Sequence, residues 1–106
     1  MIARTWHGTV PADKAGDYFD YLQATGVPDL KATDGNRGVY VMCRIEGDLA
    51  DFQMISLWES REHIRAFAGD EIERARYYPE DAEFLLELEP HCTHYEVLTG
   101  PEGAGT

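Results

Sequence analysis

The chain has 106 residues, of which 43% are hydrophobic and 27% charged, with a formal net charge of -11; this suits one globular domain and excludes a disordered chain. So acidic a protein repels phosphate backbones and anionic bilayers, which argues against nucleic-acid and membrane partners. No apolar run approaches the roughly 18–20 residues of a membrane span, the opening MIARTWHGTV lacks the pattern of a secretory signal, and two cysteines, Cys43 and Cys92, make no disulfide framework; both are read as buried thiols of a cytoplasmic protein.

Residues 2–9, built around Ile2, Trp6 and Val10, read as a strand. Pro11 then opens a helix with Asp13 and Asp17 near its positive end. In it Ala15, Tyr18, Phe19 and Leu22 follow the amphipathic spacing, and Gly26 and Pro28 are expected to end it. The stretch KATDGNRG at 31–38 is turn chemistry. Two β-rich runs, 39–45 and 52–58, flank Gly47 and predict a hairpin. Ser60 is placed to cap a helix carrying Ile64, Phe67 and Ala68. After Gly69 the spacing of Ile72, Ala75 and Tyr78 predicts a short further helix stopped by Pro79. Residues 80–90 are acidic around a local anchor of Phe84, Leu85 and Leu86, and a last strand is expected over 91–98.

The order is β-α-β-β-α-β with an extra short helix, an α+β, ferredoxin-like arrangement with a four-stranded antiparallel sheet. One domain is assigned to residues 1–98 and a disordered tail to 99–106. In the third strand both alternate sets, Met54, Ser56, Trp58 and Ile55, Leu57, are largely apolar. One helical layer covers a single face, so the other calls for a second copy of the chain, a homodimer.

The element order, the turn Asp34-Gly35-Asn36-Arg37-Gly38, the segment Ser56-Leu57-Trp58-Glu59-Ser60 and the closing His94-Tyr95-Glu96-Val97 resemble the antibiotic biosynthesis monooxygenase family of dimeric α+β barrels. That resemblance implies a pocket between sheet and helices with Trp58 in its lining and Trp6 at the family's first-strand position. It implies oxygenation of aromatic polyketides without metal or flavin, haem degradation, or action on quinones. The haem-ligating histidine of the haem-degrading members falls near Arg76, which has no lone pair to give to iron, so no cofactor is expected. The Asn and the second-helix His of other members correspond to Met54 and Phe67.

Four histidines are present. His91 and His94, three apart on a strand, face opposite sides and cannot share a metal, and no zinc spacing occurs, so no metal site is expected. His63 is read as solvated and His7 as facing the dimer interface; His94 is the candidate base, with Arg76 or Arg4 holding an enolate oxygen. Trp6, Tyr40, Trp58, Tyr77 and Tyr78 are expected to converge as walls for a planar ligand, or else to form an aromatic core. A buried Arg4 requires a carboxylate (Glu59 or Glu96) or a ligand anion. The acidic residues of 70–89 are read as a solvated face. The expected function is a cofactor-independent monooxygenase, or related enzyme, acting on an aromatic, polyketide-like or quinone-like substrate. The alternative is a non-catalytic small-molecule-binding or structural barrel. An open cavity favours the first, one filled by rings the second.

Overall fold

Alternation along the first strand decides the architecture. In a computed structural model, which describes residues 1–100, β1 (Ile2–Pro11) buries every second residue, namely Ile2, Arg4, Trp6, Gly8 and Val10. The intervening Ala3, Thr5, His7 and Thr9 face the other way, as the period of two demands. β3 (Leu49–Trp58) pairs antiparallel along the whole of β1, with Trp6 opposite Met54 and Ile2 opposite Trp58, so the two strands bury the same face. β2 (Asn36–Glu46) joins β3 through Gly47 and Asp48. Gly47 stands at φ 60 in the first turn position, the backbone a two-residue hairpin asks of a glycine. β4 (Thr93–Glu96) lies on the other edge of β1, giving the antiparallel order β2-β3-β1-β4 of an α+β, ferredoxin-like sheet.

After a 3-10 turn at Ala12–Lys14, α1 (Ala15–Ala24) turns Tyr18 and Leu22 onto the buried face. The chain does not stop at Gly26 and Pro28 as expected. A second helix, α2 (Gly26–Ala32), starts there, with Pro28 in the first turn, where a missing N–H costs nothing. α3 (Arg61–Ala68) begins after Ser60 and ends at Gly69 with φ 88. Ser60 makes no backbone cap; its Oγ meets His63 Nδ1 at 2.8 Å. His63 is half-buried rather than solvated, because its ring lies against Gly35, where an added Cβ would stand 2.1 Å from the ring. Gly35 also takes φ 88, so no other residue serves there.

The short helix expected after Gly69 does not form. Residues 69–80 are an irregular strap, and the only nearby helical turn is α4 (Asp81–Phe84). The strap finds backbone partners elsewhere: Ala75 N–H donates to Pro90 O at 2.9 Å, Cys92 N–H to Glu73 O at 2.6 Å, and Arg74 bridges His91. The Arg4 guanidinium takes the carbonyls of Ile72 and Arg74, oxygens a helix would have kept for itself. β4 is correspondingly shorter than the expected 91–98. Cys92 is buried as expected, but Cys43 is exposed. Leu85 is buried while Leu86 is exposed. From residue 101 on, the expected tail lies outside the described residues.

Two apolar clusters fill the space between sheet and helices. One gathers Trp6, Val10, Tyr18, Leu22, Phe52 and Leu85; the other gathers Ile2, Leu30, Trp58, Ile64, Phe67 and Ile72. No helix among the described residues is long and apolar enough to cross a membrane.

Candidate functional site

Where the two clusters meet, a cavity remains. β1 supplies Arg4 and Trp6, β3 Met54, α1 Tyr18 and Leu22, α2 Gly26 and Leu30, α3 Phe67, the strap Arg76, Tyr77 and Tyr78, and α4 Asp81. Its free volume is about 30 Å³, space for one or two water molecules rather than for a substrate ring. The Trp6 indole can lie along the wall because the next residue on its face is Gly8: a Cβ there would stand 2.4 Å from the indole. Trp6 Nε1–H donates to Tyr77 Oη at 3.1 Å, and Tyr77 O–H donates to Glu89 O at 2.6 Å, so the two rings are fixed edge to face.

Arg4 is 6% exposed. Its Nη2 donates to Arg74 O at 2.9 Å and weakly to Ile72 O at 3.5 Å, while its Nε is buried without a partner. The expected carboxylates do not pair with it: Glu59 meets Arg37, and Glu96 forms no ion pair with it. Burial pulls the guanidinium below its usual range. The Phe67 ring has two cations near it, Arg4 at 5.6 Å and Arg76 at 4.7 Å from its centre. Arg76 itself donates to Phe67 O at 3.1 Å and leans over Tyr78 at 5.1 Å. Tyr78 O–H donates to Asp29 Oδ2 at 2.5 Å, and Arg76 Nη2 stands 3.9 Å from the same oxygen. One carboxylate on α2 thereby ties the strap across the mouth of the cavity.

Of the residues singled out in the sequence as candidates for the site, Arg4, Trp6, Arg76, Tyr77 and Tyr78 line this one cavity. Trp58 shares their face of the sheet but lies outside the wall. It is fully buried in the second cluster, with its Nε1–H on Ser56 Oγ at 2.9 Å. Tyr40 does not converge with the others: it pairs with Ile55 on the helix-free face and is half exposed. His94 sits across from Arg4 on the covered face, outside the cavity wall. Burial, and then Arg4 and Arg61, push its pKa down, and its Nε2 is buried without a partner.

The residue that sequence reasoning missed is Asp81. It is the one buried carboxyl in the acidic stretch read as a solvated face. Its Oδ1 accepts from Tyr18 O–H at 3.1 Å and its Oδ2 from Tyr78 N–H at 2.6 Å, and burial pushes its pKa up. Nothing local distinguishes it from its acidic neighbours; only the tertiary contact with Tyr18 does.

No family model matches the chain, and no curated protein matches it. Solved structures do. A protein of unknown function from Nitrosomonas europaea superposes with a TM-score of 0.66 at 16% identity, over 98% of this chain and 95% of that one. A mutant of MhuD carrying two manganese protoporphyrin IX molecules per active site gives 0.60 at 17%, over 97% and 100%. A candidate antibiotic biosynthesis monooxygenase from Bacillus cereus gives 0.59 at 18%, over 94% of each chain. At these identities the likeness establishes the fold alone, a four-stranded antiparallel sheet with helices in a ferredoxin-like α+β arrangement. A porphyrin does not fit the cavity of this chain: the space is far too small, Arg76 offers iron no lone pair, and both sides of the Tyr77 hydroxyl are engaged.

Proposed function

We propose that this chain is a small-molecule enzyme of the monooxygenase-like barrel type, a cytosolic homodimer that binds an aromatic or quinone-like compound as its anion. One observation carries the reading: Arg4, a buried guanidinium without a carboxylate partner, lines an aromatic-walled cavity. A buried cation left uncompensated costs several kcal/mol, and a ligand oxyanion supplies the missing charge. Trp6, Tyr77 and Phe67 offer ring faces and edges beside it. Oxygenation without a cofactor needs a substrate whose resonance-stabilised anion passes an electron to oxygen itself. The protein's part is a proton acceptor, a water-poor space and fixed positive charge at the oxyanion. For a ring to enter, Arg76 and Tyr78 must swing outward from the mouth. The homodimer is supported by the helix-free face, where Tyr40, Met42 and Tyr95 are exposed beside half-buried Ile55 and Leu57.

A second reading, a non-catalytic small-molecule-binding or structural barrel, is favoured by the 30 Å³ of free space among tryptophan and tyrosine rings. Oxygen uptake with anthrones, hydroquinones and catechols under chelation, run alongside tryptophan quenching, separates the two. Uptake and quenching, both lost in Arg4→Met, are expected for the enzyme; quenching alone indicates the binding barrel. If no compound gives either signal, the cavity is core and the proposal is wrong.

A further inference from the structure

The described residues hold one buried arginine and one buried carboxyl, Arg4 and Asp81. Both line the same cavity, yet neither forms an ion pair with the other or with any described residue. Two opposite charges taken out of water normally relieve their desolvation by meeting. Here they are held apart. Arg4 is drawn onto the strap carbonyls of Ile72 and Arg74, and Asp81 onto Tyr18 O–H and Tyr78 N–H. The wall is thus polarised, with a donor at one place and an acceptor at another. Of the roughly four lone-pair positions of a carboxylate, the two hydrogen bonds occupy two, which leaves Asp81 able to accept a proton.

Resting on the reading of the cavity as an aromatic-ligand site, we infer that Asp81 is the proton acceptor for a carbon acid bound there. The ligand's acidic C–H bond breaks and an O–H bond forms on Asp81. The electron pair stays on the ligand and delocalises onto its carbonyl oxygen, which becomes the enolate oxyanion opposed by the Arg4 guanidinium. No oxidant enters this step. His94, outside the wall, takes no part in it. The titratable groups around Asp81 are Tyr18 and Tyr21 from α1 and Tyr77 and Tyr78 from the strap, all phenols held above their ordinary range chiefly by burial. They stay protonated while Asp81 titrates. A raised carboxyl is a stronger base than a solvated one, which suits it to this role.

The test uses anthrone under nitrogen in deuterium oxide, with loss of its methylene proton signal followed by nuclear magnetic resonance and binding followed by tryptophan quenching. The wild-type chain is expected to bind and to speed exchange. Asp81→Asn is expected to bind within about threefold of wild type and to lose about 100-fold or more of the exchange rate. Tyr18→Phe keeps Asp81 but removes a hydrogen bond to its ionised form, so the acid limb of the exchange rate should move to higher pH. That variant carries the test if Asp81→Asn does not fold. Wild type that binds without exchange, or exchange equal in Asp81→Asn, or an unmoved acid limb in Tyr18→Phe overturns the inference and leaves the ligand site standing. No quenching by anthrone overturns the ligand site, and the inference with it.

Discussion

His7 shows how one side chain is committed by its surroundings. Its Nδ1 lies 2.6 Å from Glu89 Oε2 and its Nε2 2.6 Å from Asp51 Oδ1, with Thr9 O–H donating to the same Asp51 oxygen. Two carboxylates accept from one ring, so both nitrogens carry protons. The bond to Glu89 raises the His7 pKa most, desolvation opposes it, and the bond to Asp51 adds to the rise, while His7 lowers the pKa of Asp51. The folded value lies above the unfolded 6.5. The stabilisation is therefore complete below pH 6.5 and is lost as pH rises through the folded value. His94 acts in the opposite sense: its lowered value makes stability fall as pH drops below 6.5. Thermal melts from pH 5 to 9 should decline on the alkaline side, and His7→Gln should flatten that decline by lowering the acid-side melting temperature while leaving the alkaline end unchanged. An alkaline slope that survives the substitution would show that the network contributes nothing. His7 was readable from strand phase as a residue of the helix-free face, but its two acidic partners were not. Glu89 comes from a loop 82 residues away.

At the level of elements, the strap is where sequence and structure part. Ile72, Ala75 and Tyr78 have helical spacing, but a segment of some nine residues between Gly69 and Pro79 is too short to hold a helix by itself, and Arg4 and residues 90–92 supply better partners for its backbone. The four strands, their order and the shared face of Trp6 and Trp58 were all legible, because period-two alternation survives in any packing. Which tryptophan would line a cavity was not. Trp58 ends its strand among Ile64, Phe67 and Ile72 and is absorbed by them, and Asp81 took its meaning from Tyr18, 63 residues earlier. Tyr40 could have been placed from Val39 and Val41, whose half-buried side chains take the alternate face. Because the strap is tied to α2 through Asp29, Asp29→Ala should release Tyr78 and Arg76 from the mouth. Stopped-flow quenching by an aromatic ligand should then show association several-fold faster than in wild type, with a melting temperature lowered by no more than a few degrees, since exposed pairs contribute little. An unchanged association rate would show that the strap does not limit access.

For the whole molecule, the sheet has one face under helices and one without. On the bare face Leu57 stands opposite Ala3 and Gly38, half-buried within a single copy. If a second copy covers it, Leu57→Asp places an unpaired charge between two sheets, at a cost of several kcal/mol. Light scattering at micromolar concentration should then give twice the chain mass for the wild type and a single chain mass, or unfolded protein, for the variant. A wild-type monomer, or a variant of unaltered mass and melting temperature, would leave that face to solvent.

The hydrogen bonds from Arg4 to the strap also bear on the order in which the molecule is assembled. They join residues about 70 positions apart, and the strap's remaining backbone partners lie at 90–92. During synthesis the hairpin and the first three helices can take shape while those partners are still inside the ribosome. The cavity cannot: its outer wall exists only once nearly every residue has emerged. The cavity wall is thus the youngest part of the fold, and its amides should be the first to exchange with solvent when the edge strand β4 frays.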